Sequence, residues 1–273
     1  MKKRSFLRTA AAYPHIVWAL LFIVAPLLFV IYYAFTTPYG EFTTDNILAL
    51  GEHSSTFVLS VALSIIATFI CFLIGYPLAW IITRQSKRRQ KISMMLLMLP
   101  MWTNLLIRTY SMMAIMDDGG FLNSILGALH LGSVHLIGTK GAVLFGMVYD
   151  FLPYMVLPIY TVMSKIDPRL LEAASDLGAS SFYVLLRVIF PLSVSGIISG
   201  ITMVFVPSIS TFYISQKLGG GSFELIGDTI ERQFQNESTY NIGAAISLVM
   251  MVLILISLAV MNRFSEESEE IMP

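Results

Sequence analysis

LLEAASDLGASSFYVLLRVIFPLS, residues 170–193, sets a compact polar pattern between two long apolar runs. Asp167 can cap a helix here, and Pro168 suits its first turn. Gly178 suits the left-handed position after the last turn. Ten helical residues reach ~15 Å, half a bilayer, so this helix crosses nothing. Leu170, Ala173, Ala174 and Leu177 share one face at helical spacing, with Arg169, Glu172 and Asp176 opposite. The pattern predicts a small amphipathic helix that packs its small-residue face on its own chain and offers charges to a partner. An ordinary surface helix in a loop has the same pattern.

The surroundings of that stretch define a membrane protein. Of 273 residues 56% are hydrophobic and 12% charged, about half the usual charged share. The net charge is zero, so nothing points to nucleic acid or another polyanion. Asp, Glu, Lys and Arg are absent from Thr9 to Gly40, His53 to Thr83, Val188 to Gln216 and Ser238 to Asn262. Two further runs, Ile92 to Met116 and Gly141 to Ser164, carry one charge each. Each run holds the ~20 apolar residues that a spanning helix needs. Six transmembrane helices are expected, at about 14–36, 56–83, 92–116, 141–164, 188–216 and 241–262.

Basic residues orient the spans. Lys2, Lys3, Arg4, Arg8, Arg84, Lys87, Arg88, Arg89, Lys91, Lys165, Arg169, Arg187 and Arg263 fall on one side; Lys140, Lys217 and Arg232 fall on the other. Both termini are therefore expected in the cytoplasm, and residues 165–187 form a cytoplasmic loop. The first apolar stretch is too long for a signal core and lacks a small-residue cleavage site, so it reads as an uncleaved anchor. The expected division is a basic N-terminus at 1–13, one transmembrane domain at 14–262, and an acidic tail at 263–273. "SEESEE" in that tail reads as a solvated, disordered end.

Glu172-Ala173-Ala174, three residues, then Gly178 and later Pro191 resemble the EAA loop of ABC importer permeases. The apolar pair before the proline is Val188 and Phe190 here, where the family commonly has Ile and Leu. "WTNLLIRTY" (102–110), "GGFLN" (119–123), "FYIS" (212–215) and "LIGDTIERQF" (225–234) narrow the likeness to the B-type permeases of spermidine/putrescine importers. The resemblance implies an all-α, type I importer permease fold with a coupling helix between helices 4 and 5. It implies that Glu172, Ala173, Ala174, Asp176 and Gly178 couple the chain to a cytoplasmic ATPase. It further implies a second, different permease subunit, two ATP-binding subunits, an external polyamine-binding protein and a bacterial cell membrane. Another small solute as cargo is the nearest alternative; a self-sufficient secondary transporter or channel is the rival from another class.

No catalytic set is visible. The phosphate loop G-x-x-x-x-G-K-[ST] is absent, so the chain brings no ATPase of its own. His15, His53, His130 and His135 show no metal-ligand spacing, and no cofactor is implied. Cys71, the single cysteine, sits in an apolar run as a small core residue. Arg108 and Asp150 are the two charges within spans, and on straight helices their depths match. They are either a structural ion pair, or Asp150 lines the path and meets a substrate ammonium. Trp102 lies ~15 Å into the third span, where an aromatic face could attract an amine cation or simply pack. Asn104, Tyr110, Phe212 and Tyr213 complete the candidate path. Pro100 is a candidate interruption of the third span, and Pro153, Pro158, Pro191 and Pro207 are expected to kink the fourth and fifth.

Overall fold

The computed structural model describes residues 13–270, and the basic cluster at Lys2, Lys3, Arg4 and Arg8 lies outside them. Among the described residues the regular structure is helical, apart from one isolated bridge between Thr36 and Phe42. Helix α1 spans Tyr13–Ala34. It is followed by α2 (Ser54–Thr83), α3 (Lys87–Trp102), α4 (Leu105–Met116), α5 (Phe121–Ala128) and α6 (Lys140–Met163). Then come α7 (Pro168–Asp176), α8 (Ser181–Leu192), α9 (Val194–Ser210), α10 (Tyr213–Leu218), α11 (Ile226–Phe234) and α12 (Tyr240–Glu270).

Among the described residues, four helices are by themselves long and apolar enough to cross a membrane: α1, α2 with its lead-in from Asp45, α6, and α12 as far as Phe264. The other two expected spans are not straight helices. α3 and the α4–α5 segment meet at 94°, and α8 meets α9 at 73°; counting each bent pair as one span brings the total to six. α12 continues through Glu270, so the acidic stretch expected to be disordered is helical over 265–270.

Two compact units divide the chain. In the first, which runs to Ser54 and includes Thr229–Leu253, Ala34 packs with Ala244 and Ala245. Asn241 Nδ2 donates to the carbonyls of Thr36 (2.6 Å) and Tyr33 (3.1 Å), tying the end of α1 to the start of α12. The rest of α1 is apolar and uncovered: Phe22 is 66% and Phe29 60% exposed. Such a surface suits hydrocarbon or another subunit and is penalised in water.

In the second unit α6 is the central helix, and Met147, Met155, Val156 and Ile159 are fully buried along it. Small residues let its neighbours approach closely. A Cβ on Gly200 of α9 would lie 2.8 Å from Met155 Sδ, one on Gly196 would lie 3.0 Å from the Pro158 carbonyl oxygen, and one on Gly75 of α2 would lie 3.0 Å from Met155 Cγ.

Proline alone does not decide where these helices break. α2 runs through Pro77, α6 through Pro153 and Pro158, and α9 through Pro207. The breaks fall where other donors take over the freed carbonyls, which hydrocarbon would leave unpaired. At the end of α3 the Pro100 carbonyl accepts from Thr103 Oγ1 (2.7 Å), Thr103 N (3.2 Å) and Arg108 Nη1 (2.6 Å). At the α8–α9 bend, Ser193 donates to the Phe190 carbonyl from both its backbone N–H and its hydroxyl, each at 3.1 Å. The Ser193 hydroxyl also lies 3.2 Å from the Tyr76 hydroxyl of α2.

Candidate functional site

The amphipathic stretch forms α7 with the caps its sequence calls for. Asp167 Oδ1 accepts from Arg169 N at 2.9 Å. Gly178 adopts φ +79°, and Ala179 N donates back to the Ala174 carbonyl at 3.1 Å, which closes a Schellman-type turn. The packed face differs from the expected one. Leu171, Ala174 and Ala179 contact the core cluster of α6 and α8–α9, whereas Ala173 is exposed, Leu170 is half exposed and Leu177 is 89% exposed. Which side meets the core is set by tertiary packing, which helical periodicity does not specify. Glu172, Asp176 and Leu177 are all exposed, so the helix offers both charged and apolar groups outward.

The α3–α4 bend carries the next group. Trp102 is the last residue of α3, at the corner, and is 71% exposed. The count of ten residues from Ile92 thus runs along one continuous helix and ends at the corner itself. Asn104 caps α4, its Oδ1 accepting from Leu106 N at 2.8 Å. One turn later Arg108 Nε lies 2.6 Å from Asp150 Oδ1 of α6. The two side chains are 12% and 2% exposed. The contact is one of charge: its geometry is not that of a hydrogen bond, and neither Asp150 oxygen accepts one. Arg108 therefore reaches two elements at once, the Pro100 carbonyl through Nη1 and Asp150 through Nε.

Tyr110 of α4 and Tyr213 of α10 meet edge to face, with ring centroids 6.3 Å apart and planes at 80°. Lys217 Nζ lies 5.4 Å from the first ring and 5.8 Å from the second. Phe212, just before α10, is 42% exposed. The six candidate path residues are thus not gathered at one point. Tyr110 joins Tyr213, Asp150 joins Arg108, Asn104 caps α4, and Trp102 and Phe212 stand exposed. A cavity of about 740 Å³ beside α4 and α6 is lined by Ile107, Arg108, Ser111, Phe145 and Tyr149, among others. None of the six lines it.

Sequence reasoning missed two members of this region. Lys217 entered only as a charge on the sparse side, although its position four residues after Tyr213 puts both on one helical face. Asp228, counted in no span, is buried and accepts from Ser215 Oγ (2.9 Å) and Leu225 N (2.8 Å). Among the described residues no group of three His, Cys, Asp or Glu side chains could hold a metal ion.

A helical, lipid-suited chain with two sharply bent spans and a short amphipathic helix exposed between spans is built as a membrane-embedded transport subunit. It belongs to the family of binding-protein-dependent transport system inner membrane components, whose model matches residues 72–267. The spermidine/putrescine transport system permease protein PotB of Escherichia coli (strain K12) is 36% identical over 91% of this chain and 94% of that protein. Its namesake in Salmonella typhimurium (strain SL1344) is 34% identical over 97% and 96%. Among solved structures, a bacterial ABC transporter involved in import of the acidic polysaccharide alginate matches with a TM-score of 0.76 and 19% identity, covering 99% of this chain and 98% of that one. The MetNI methionine ABC transporter matches at 0.59 with 14% identity, covering 78% and 94%. The fold is that of type I ABC importer permeases, and the chain is a multi-pass bacterial inner-membrane protein.

Proposed function

We propose that this chain is one of two different permease subunits of an ATP-driven polyamine importer. The observation that carries the reading is its 36% identity to a spermidine/putrescine permease over nearly the whole of both chains. Two ATP-binding subunits act from the cytoplasm, and an external binding protein delivers the amine. α7 is the coupling element: Glu172, Asp176 and Leu177 dock on an ATPase, Ala173 allows close approach, and Gly178 holds the turn. Closure of the ATPases moves α7, and the bent spans switch the path between outward and inward access. Both termini lie in the cytoplasm, as the distribution of basic residues favours. Residues 14–262 form the permease domain, between a basic N-terminus at 1–13 and an acidic tail at 263–273.

Trp102, Tyr110, Asp150, Phe212 and Tyr213 contribute to the path. Aromatic faces hold an ammonium by its charge without binding it so tightly that it cannot leave. The test is ATP-dependent uptake into proteoliposomes containing the complex with its binding protein, against a panel of amines, amino acids and sugars. Uptake of spermidine or putrescine ahead of every other solute is expected. Preference for a non-amine solute would overturn the substrate assignment.

A further inference from the structure

Lys217 has an unusual environment for an ammonium. It is partly buried, and among the described residues it makes no ion pair. Its charge faces two tyrosine rings at nearly equal distance, 5.4 and 5.8 Å. The rings stand at 80° and come from different helices, Tyr110 from α4 and Tyr213 from α10, so they form two walls of a seat. A Tyr–Lys contact along α10 alone would account for one wall; it does not account for Tyr110. Tyr110 is 50% exposed, which leaves the seat open to an arriving solute.

The Lys217 side chain ends in a primary alkylammonium, the same group that ends a linear polyamine. We propose that Tyr110 and Tyr213 form an alkylammonium site whose resident cation is the chain's own Lys217, and that a substrate ammonium takes its place. This rests on the polyamine reading above. Two ammonium groups a few ångströms apart repel each other and cannot both occupy one pair of rings, so arrival of the substrate expels the lysine. The lysine is tethered one helical turn from Tyr213 and returns once the substrate moves on. It therefore acts as an internal competitor that weakens binding and speeds release at this step.

The test uses the assembled complex in nanodiscs with putrescine as the probe. The rate of Lys217 acetylation by an amine-reactive ester is followed by mass spectrometry, with Lys140 as the reference. Putrescine should raise the Lys217 rate several-fold in the wild type and leave it unchanged in Tyr110→Leu/Tyr213→Leu. Calorimetric binding of putrescine should tighten ~fivefold in Lys217→Met and weaken in Tyr213→Leu. An unchanged or slower Lys217 rate with putrescine, in a preparation that imports putrescine, would overturn the displacement and leave the transport assignment standing. Weaker binding in Lys217→Met would also overturn it, since a competitor cannot strengthen its rival. If the complex imports no amine yet Lys217 still responds, the site stands and the transport assignment falls; if it neither imports nor responds, both fall.

Discussion

Replacing Arg108 with Gln removes a cation that holds two elements, and the structure sets the size of the effect. Arg108 and Asp150 are 12% and 2% exposed, so solvent screens the pair little. Asp150 has no hydrogen bond to fall back on. Removing one partner of such a pair costs about 3–5 kcal/mol. Arg108→Gln also loses the bond to the Pro100 carbonyl, a charge-assisted contact worth about 1.5–3 kcal/mol. Asp150→Asn is the milder change, because Arg108 keeps its bond to Pro100 and needs no new partner for that hydrogen. Arg108→Gln should therefore destabilise more than Asp150→Asn. The double variant should be more stable than the two single losses predict, by ~1–3 kcal/mol. The assay is unfolding by SDS titration in mixed micelles, run alongside membrane abundance and recovery of the assembled complex. Additive losses within about 0.5 kcal/mol would refute a pairwise interaction. A larger loss in Asp150→Asn than in Arg108→Gln would refute the stapling of Pro100. Intact assembly with transport abolished in Asp150→Asn would move that carboxylate from the scaffold to the path.

Gly178→Val should uncouple ATP hydrolysis from uptake while the protein still inserts. A Cβ there meets nothing within 4 Å, so the obstacle is the backbone at φ +79°, which costs a β-branched residue ~1–2 kcal/mol or more; wild-type coupling would remove the turn from the mechanism. Leu177→Asp should weaken recovery of the ATPase with the permease and leave permease stability unchanged, because that side chain is 89% exposed; reduced thermal stability without loss of ATPase would point to an intramolecular contact. Gly200→Val should lower stability by ~1–3 kcal/mol in the same SDS titration, since its Cβ would lie 2.8 Å from Met155 Sδ and 3.0 Å from the Met155 carbonyl oxygen; an unchanged midpoint would mean that α9 and α6 can separate without cost. For Trp102, uptake at equal abundance should rank Trp above Phe above Leu, with a ~tenfold or larger rise in half-saturation for the Leu variant if the contact forms in a desolvated state; equal values in all three would leave the tryptophan a corner residue only.

The apolar runs and α7 were legible in the sequence because their signals are local. A spanning run shows itself by length and missing charge, and α7 by its capping residues, helical spacing and closing glycine. The resemblance at Glu172-Ala173-Ala174 and Gly178 was legible for the same reason. The bends in the third and fifth spans were legible only in part: Pro100 and Pro191 marked the places, but not turns of 94° and 73°. Prolines also marked the fourth span, where α6 stays one continuous helix through Pro153 and Pro158, while the chain turns by 94° after Pro100. At the corner after Pro100, the carbonyl that the helix end frees finds three donors. Pro100 gets its third donor from Arg108, and Arg108 is in turn held by Asp150, forty-two positions further along the chain. The buried side of α7 was set in the same way, by the packing of Leu171, Ala174 and Ala179 on the core. The meeting of Tyr110, Tyr213 and Lys217 likewise needed α4 and α10 side by side. Hydropathy and periodicity act along a few turns of one helix, whereas a carbonyl's partner or a cation's seat is fixed only when distant helices come into contact.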